Sequence, residues 1–135
     1  YWENMSKARD LARKFPDVVM VLDHAGFPQE RTDSYFKDWQ QGIRALAEAE
    51  NVVCKISGLG MGDNHWTVAS IRPYVLHSIE TFDVERCFFA TNWPVDWLWS
   101  SYDAVVDAYT EIVVDFSGEE QAAMFSGNAE RLYRI

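Results

Sequence analysis

Val18-Val-Met-Val-Leu22 is an apolar, mostly β-branched stretch that ends abruptly in the polar turn Asp23-His24-Ala-Gly26. The same change recurs where Val52–Ile56 leads into Ser57-Gly58 and where Cys87–Ala90 leads into Thr91-Asn92-Trp-Pro94. The three stretches start about 34 residues apart, close to the roughly 30 residues of one βαβ unit. Because parallel strands collect their reactive side chains at their carboxyl ends, the sequence predicts consecutive β/α units with one chemically equipped edge.

Amphipathic stretches before, between and after these strands predict helices. The first ends near Phe15, the second is capped by Asp33 or Ser34, the third begins between Ser70 and Pro73, and the fourth runs from Tyr102 to about Val114. Ser117-Gly-Glu-Glu120 is a capping box for a fifth helix that Gly127-Asn128 should stop before a short last one. This order predicts an α/β fold with a parallel sheet, either a small open sheet or the last three β/α units of an eight-fold barrel. A full barrel takes about 250 residues, so this chain could supply only part of one.

Composition predicts a single globular domain without nucleic-acid or membrane partners. The 135 residues are 48% hydrophobic, and the formal net charge is −9 with no basic stripe, which argues against binding to polyanions. No apolar stretch approaches the roughly 20 residues that span a bilayer, and no signal-peptide pattern is present. The two cysteines, Cys54 and Cys87, lie within predicted strands, which favours buried thiols and a cytoplasmic protein.

Period-two alternation predicts which side chains share the pocket. It places His24, Ser57 and Asn92 together near the mouth of one interior, with Lys55 one layer below and Asp23 pointing away from His24. His24 could bind a metal, act as an acid or base, or only bond a neighbouring carbonyl. Lys55 is costly inside an apolar strand unless it is paired or has a shifted pKa, which favours a buried functional or network role over chance exposure on a sheet edge.

Two further residues are candidate substrate contacts. Trp93 follows the third strand, and His65 lies on the glycine-rich loop Gly58–His65. Core packing and solvent exposure are the simpler explanations for these side chains. Ser57 has no nucleophile-elbow setting, so a substrate-binding role is the more suitable prediction for it.

Four ordered motifs carry a resemblance to a known family. They are Val21-Leu-Asp-His-Ala-Gly-Phe-Pro28, Asn51-Val-Val-Cys-Lys-Ile-Ser-Gly-Leu59, Glu85-Arg-Cys-Phe-Phe-Ala-Thr-Asn-Trp-Pro-Val95 and Asn128-Ala-Glu-Arg-Leu-Tyr133. With them the sequence resembles the amidohydrolase-related TIM-barrel hydrolases, a metal-dependent family that includes lactone hydrolases. The resemblance implies that the chain is a single partial-barrel domain, residues 1–135, holding strands six to eight of a (β/α)8 barrel.

The resemblance also implies site roles. His24 corresponds to the family's sixth-strand His, which binds substrate or approaches the metal, and Asn92 stands where many members carry the Asp that deprotonates water. An amide can orient water but has no basic lone pair for its proton. The family's first-strand H-x-H has no counterpart in this sequence. The resemblance therefore leaves open whether one divalent metal such as Zn is used or none.

The leading hypothesis is the C-terminal part of a hydrolase that opens a lactone, or a similar cyclic ester or amide, by attack of water. In it His24 binds or polarises the small-molecule carbonyl substrate, Lys55 supplies positive charge and Asn92 positions the water. The alternative hypothesis is a non-catalytic half-barrel that oligomerises or binds a ligand without turnover. Under either one, open sheet edges predict association with a second copy or with a missing N-terminal half-barrel.

Overall fold

The computed structural model describes residues 1–135, which form a three-stranded parallel sheet and six α-helices. The strands β1 (Met20–Leu22), β2 (Val52–Ile56) and β3 (Cys87–Phe89) lie side by side in chain order. The helices are α1 (Met5–Lys14), α2 (Asp33–Ala47), α3 (Val68–Phe82), α4 (Tyr102–Ile112), α5 (Gly118–Ala122) and α6 (Asn128–Tyr133). The predicted alternation of helices and parallel strands is confirmed.

Local capping explains where the helices begin. Thr32 caps α2 by accepting a hydrogen bond from the Tyr35 amide, one residue before the predicted cap. Thr67 and Ser70 form a capping box that starts α3 slightly earlier than predicted. The predicted capping box of α5 is confirmed. The Ser117 hydroxyl accepts a hydrogen bond from the Glu120 backbone amide, and the Glu120 carboxylate accepts one from the Ser117 backbone amide. Each cap satisfies amide donors that the first helical turn leaves free.

Two predicted boundaries are wrong. The first strand begins at Met20 because Val18 and Val19 are exposed and precede the pairing with β2. Gly127 does not stop a helix: a π-helical turn, Ala123–Gly127, joins α5 to α6, and Gly127 keeps a right-handed helical conformation. Asn128 uses its side chain to bond distant carbonyls, so it is not free to cap.

The helices cover one face of the sheet. Cys54 pairs in register with Leu22 and Cys87, and these side chains join the apolar core between sheet and helices. On the opposite face, Phe88 packs edge-on against Tyr133 of α6, with ring centroids 5.9 Å apart. Sequential strand order and one-sided helical cover match a sector of a β/α barrel more closely than an open sheet covered on both faces. No helix combines the length and apolar content needed to cross a bilayer.

Candidate functional site

The carboxyl ends of the three strands bring polar side chains together. A 3₁₀ turn follows closely after each strand, Asp23–Gly26, Leu59–Gly62 and Val95–Leu98 respectively. His24 Nδ1 lies 2.8 Å from Ser57 Oγ, across 33 residues of sequence. Ser57 is completely buried, whereas His24 is partly buried. The structure thus joins the first two predicted site residues in a direct hydrogen bond.

His24 reaches this position by a route that alternation did not predict. The register pairs Val21 with Val53, so Val21 and Lys55 share the open face, and Met20 and Leu22 face the helices. Alternation continued from Met20 and Leu22 would put His24 on the helix-facing side, so alternation does not account for its contact with Ser57. His24 lies beyond β1 in a left-handed conformation with φ of 56°, which turns its side chain towards Ser57. Left-handed backbone is uncommon outside glycine, although histidine tolerates it better than most residues.

Asp23 belongs to the same cluster. Its Oδ1 atom lies 2.6 Å from Nζ of Lys55, whose side chain is 25% exposed. The sequence predicts only that Asp23 points away from His24, and the structure adds that Asp23 forms an ion pair with Lys55 at this end of the sheet. The ion pair explains how a lysine is accommodated within an otherwise apolar strand.

Asn92 has a partner that the sequence analysis missed. Its Nδ2 atom donates a 2.8 Å hydrogen bond to Oδ1 of Asp96, which is buried at 2% exposure. The backbone of Asn92 is in the left-handed region, with φ of 57°. Asparagine adopts this conformation more readily than most residues. One sequence signal could have identified Asp96: it is the single charged residue in the apolar stretch from Trp93 to Trp99.

Gly58 provides the space between the two sides of the site. Its φ is 60°, and a Cβ atom built there would lie 2.7 Å from His24 Nδ1 and 3.1 Å from Asn92 Nδ2. A single added methyl group would therefore meet both side chains. His24 and Asn92 face one small space, as the sequence predicts, and a side chain at position 58 would fill it.

Burial sets the protonation of the site. Desolvation lowers the pKa of His24, the nearby Lys55 lowers it further, and the carboxylates of Asp23 and Asp96 oppose these effects. His24 is therefore neutral at pH 7. Burial raises the pKa of Asp96, and the hydrogen bond from Asn92 opposes that change. The site combines the neutral imidazole of His24 with the amide of Asn92, which is hydrogen-bonded to the carboxyl group of Asp96.

The two other predicted substrate contacts lie outside the hydrogen-bonded cluster. Trp93 is 41% exposed and packs edge-on against Tyr102 with ring centroids 5.6 Å apart. His65 is exposed and makes no side-chain hydrogen bond. The structure does not bring His65 into contact with His24 or Asn92.

The donor set of this chain is smaller than a protein zinc site requires. Catalytic zinc sites use three protein ligands, and no group of three His, Cys, Asp or Glu side chains is arranged to hold a metal here. His24 already engages Nδ1 with Ser57, which leaves Nε2 as its one nitrogen for a ligand. This chain alone therefore does not fit a complete zinc site.

Comparison with known proteins assigns the chain to a family. The amidohydrolase family model matches residues 2–135. The uncharacterised protein y4mH of Sinorhizobium fredii is 50% identical over the whole chain, and an L-fucono-1,5-lactonase of Burkholderia multivorans is 32% identical over 91% of it. The chain covers 45% and 49% of these relatives, so it spans about half the length of the curated relatives it matches.

A solved structure shows the same backbone arrangement. It is an amidohydrolase of Burkholderia multivorans with bound Zn, which superposes with a TM-score of 0.93 and 27% sequence identity. The superposition includes all of this chain and 50% of that protein. The family match over nearly every residue agrees with the fold and with the resemblance of the four motifs. The chain belongs to the amidohydrolase family of TIM-barrel hydrolases.

Proposed function

We propose that this chain is the C-terminal part of a hydrolase that opens a lactone or a related cyclic ester. The hydrogen-bonded His24–Ser57 pair facing Asn92 is the observation that carries the proposal. The name of the L-fucono-1,5-lactonase relative supports a lactone as the substrate class. In the reaction, water attacks the ring carbonyl, the acyl C–O bond breaks, and the ring oxygen leaves as a hydroxyl group.

His24 is suited to bind the carbonyl oxygen. Ser57 is fully buried and has His24 as its one side-chain partner, so its hydroxyl is best satisfied by donating to Nδ1. Neutral His24 then carries its proton on Nε2 and can donate it to a substrate oxygen. Such a donor stabilises the negative charge that develops on the carbonyl oxygen during water attack. Lys55, in its ion pair with Asp23, adds positive charge to the open face.

Asn92 is suited to orient the attacking water. Its Nδ2 atom is engaged with Asp96, and its Oδ1 atom makes no hydrogen bond within the chain. An amide oxygen can accept a hydrogen bond from water but cannot take its proton at neutral pH. The proton acceptor and any metal ligands would therefore be supplied by the polypeptide that completes the barrel. Under this proposal the present strands are the sixth, seventh and eighth, residues 1–135 form one partial-barrel domain, and the partner is the N-terminal half or a second copy.

The test uses the full reading frame that contains this chain, expressed and assayed on a panel of sugar and aromatic lactones with and without a chelator. Turnover of at least one lactone is expected. His24→Ala should lower kcat/KM about 10²-fold to 10³-fold, the usual effect of removing one donor to the developing oxyanion. Arg131→Ala, which removes an exposed ion pair with Glu85, is the control and should keep the parent activity.

Two results would contradict the proposal. Equal activity in the parent and in His24→Ala would remove His24 from the site. Binding of a lactone by calorimetry without turnover would support instead a non-catalytic ligand-binding half-barrel, which the amide at position 92 also fits. The chelator arm decides whether the complete protein depends on a metal.

A further inference from the structure

Asp96 is a buried carboxyl group for which the proposed function has no role yet. It lies in the 3₁₀ turn after β3, four residues beyond Asn92, and it is the one acidic residue among the buried polar side chains. None of the ion pairs of the chain includes Asp96. A buried carboxyl group is costly unless it is well hydrogen-bonded. Solubility therefore does not explain Asp96, and the Asn92 amide is its hydrogen-bond partner.

The contact fixes the orientation of the Asn92 amide. A carboxylate can only accept hydrogen bonds, whereas an amide has a donating end and an accepting end. The 2.8 Å contact with Oδ1 of Asp96 therefore requires the NH₂ group of Asn92 on that side. The opposite orientation would bring two acceptor oxygens together. Asp96 thus determines that the amide oxygen of Asn92 is left for a hydrogen bond with another group.

The same pair is electrostatically linked to His24. The carboxylate of Asp96 is one of the charges that act on His24, and Asn92 meets the space above Gly58 that His24 also meets. Hydrogen bonds polarise one another when they are linked in a low-dielectric interior. A carboxylate that accepts from the amide NH₂ therefore increases the negative charge on the amide oxygen of Asn92.

We infer that Asp96 is a positioning residue for the proposed hydrolysis, which holds Asn92 with its amide oxygen available to the attacking water and places a carboxylate one side chain behind the strand end. The inference rests on the proposed function. It answers the difficulty that Asn92 poses: the carboxylate is present, but it belongs to the following turn and acts through the amide.

Asp96→Asn is the direct test, because it preserves the shape of the side chain and removes the charge. An asparagine at position 96 can accept from Asn92 or donate to it, so it no longer selects one orientation of the Asn92 amide. In the full reading frame, kcat is expected to fall about 10²-fold, the effect of misplacing a reacting group, with little change in KM. Asp107→Asn, at an exposed position of α4, is the matched control and should behave as the parent.

Exchanging the two side chains tests whether the hydrogen bond between positions 92 and 96 accounts for the loss of kcat. Asn92→Asp alone places two carboxyl groups in contact, which raises the pKa of one of them and lowers activity at neutral pH. The double variant Asn92→Asp with Asp96→Asn restores an amide donor facing a carboxylate. It is expected to recover kcat to within tenfold of the parent. A double variant that is no more active than Asp96→Asn would overturn the inference.

A spectroscopic measurement keeps the test independent of turnover. The side-chain amide protons of Asn92 should give two well-separated NMR signals in the parent, with one shifted downfield by the carboxylate, and this shift should be lost in Asp96→Asn. Unchanged Asn92 signals in that variant would overturn the inference. A parent protein that shows these signals but hydrolyses no lactone would refute the proposed function and leave the positioning of Asn92 supported.

Discussion

The sheet has an N-terminal edge, where its strands begin, and a C-terminal edge, where they end. Polar side chains have different partners at these two edges. At the N-terminal edge, Asn128 donates hydrogen bonds to the carbonyls of Val84 and Cys87, and Arg86 donates to four carbonyls. Asn51 likewise bonds three carbonyls that precede β1. These side chains supply hydrogen-bond donors to backbone carbonyls that have no backbone partner at the ends of helices and strands. They connect segments that are distant in sequence.

At the C-terminal edge, polar side chains bond mainly to each other. His24 is hydrogen-bonded to Ser57, Asn92 is hydrogen-bonded to Asp96, and Lys55 forms an ion pair with Asp23. The cluster leaves His24 Nε2 and Asn92 Oδ1 without an internal partner. The comparison shows that polar residues at one edge stabilise the fold, while those at the other leave atoms available to a ligand. This division is typical of β/α barrels, whose active sites lie at the carboxyl ends of the strands.

Asn128→Ala is expected to have the largest effect on stability. It leaves two carbonyl oxygens without their donors, at a cost of about 2 to 4 kcal/mol in the free energy of unfolding. Denaturant unfolding of the full protein measures this loss. The kcat of the folded fraction should be unchanged because Asn128 lies at the opposite edge from His24. A variant of normal stability with reduced kcat would contradict the division between the edges.

Arg131→Ala is the control on the same helix. Its guanidinium pairs with the carboxylate of Glu85 and donates to the Glu85 carbonyl, and both contacts are exposed. Exposed ion pairs contribute about 0 to 1 kcal/mol, and an exposed carbonyl can bond to water instead. The difference between the two variants isolates the burial of the carbonyls bonded by Asn128. Equal losses in the two variants would mean that α6 as a whole, and not the Asn128 contacts, determines the stability.

Gly58→Ala is expected to have a smaller effect on stability and a clear effect on the site. A left-handed conformation costs a non-glycine residue about 1 to 2 kcal/mol, and the new methyl group meets His24 and Asn92. Lactone kcat/KM should fall because both side chains must move. Gly118→Ala is the matched control, since a Cβ atom there meets nothing within 4 Å. Full activity of Gly58→Ala would show that His24 and Asn92 do not share the reacting space.

The smallest expected effect is a change in the titration of His24. NMR titration should give this imidazole a pKa below the 6.5 of an exposed histidine, because it is desolvated. The contribution of neutral His24 to stability is then fully present above pH 6.5 and is lost as the pH falls towards the lowered pKa. Asp23→Asn should lower the pKa further, and Lys55→Met should raise it. If neither variant shifts the pKa of His24, the Asp23–Lys55 ion pair does not act on this imidazole.

Sequence periodicity predicted much of the fold. β-branched runs and amphipathic stretches predicted the parallel strands and the alternating helices because both depend on which side chains are buried. The capping box of Ser117 and Glu120 was predicted correctly because its hydrogen bonds join residues three apart. The continuation of the helix through Gly127 was not predicted. It accompanies the contacts of Asn128 with Val84 and Cys87, which lie more than forty positions away in sequence.

The sequence by itself determined that chemistry-bearing residues gather at the carboxyl edge of a parallel sheet, and its motifs determined the family. Only the tertiary structure decided how they meet. The left-handed backbone turns His24 towards Ser57, and Asp23, one residue beyond β1, forms an ion pair with Lys55. The turn after β3 places Asp96 behind Asn92. The physical reason is that alternation holds only within a strand, whereas beyond its end the backbone dihedral angles and distant contacts set the direction of each side chain.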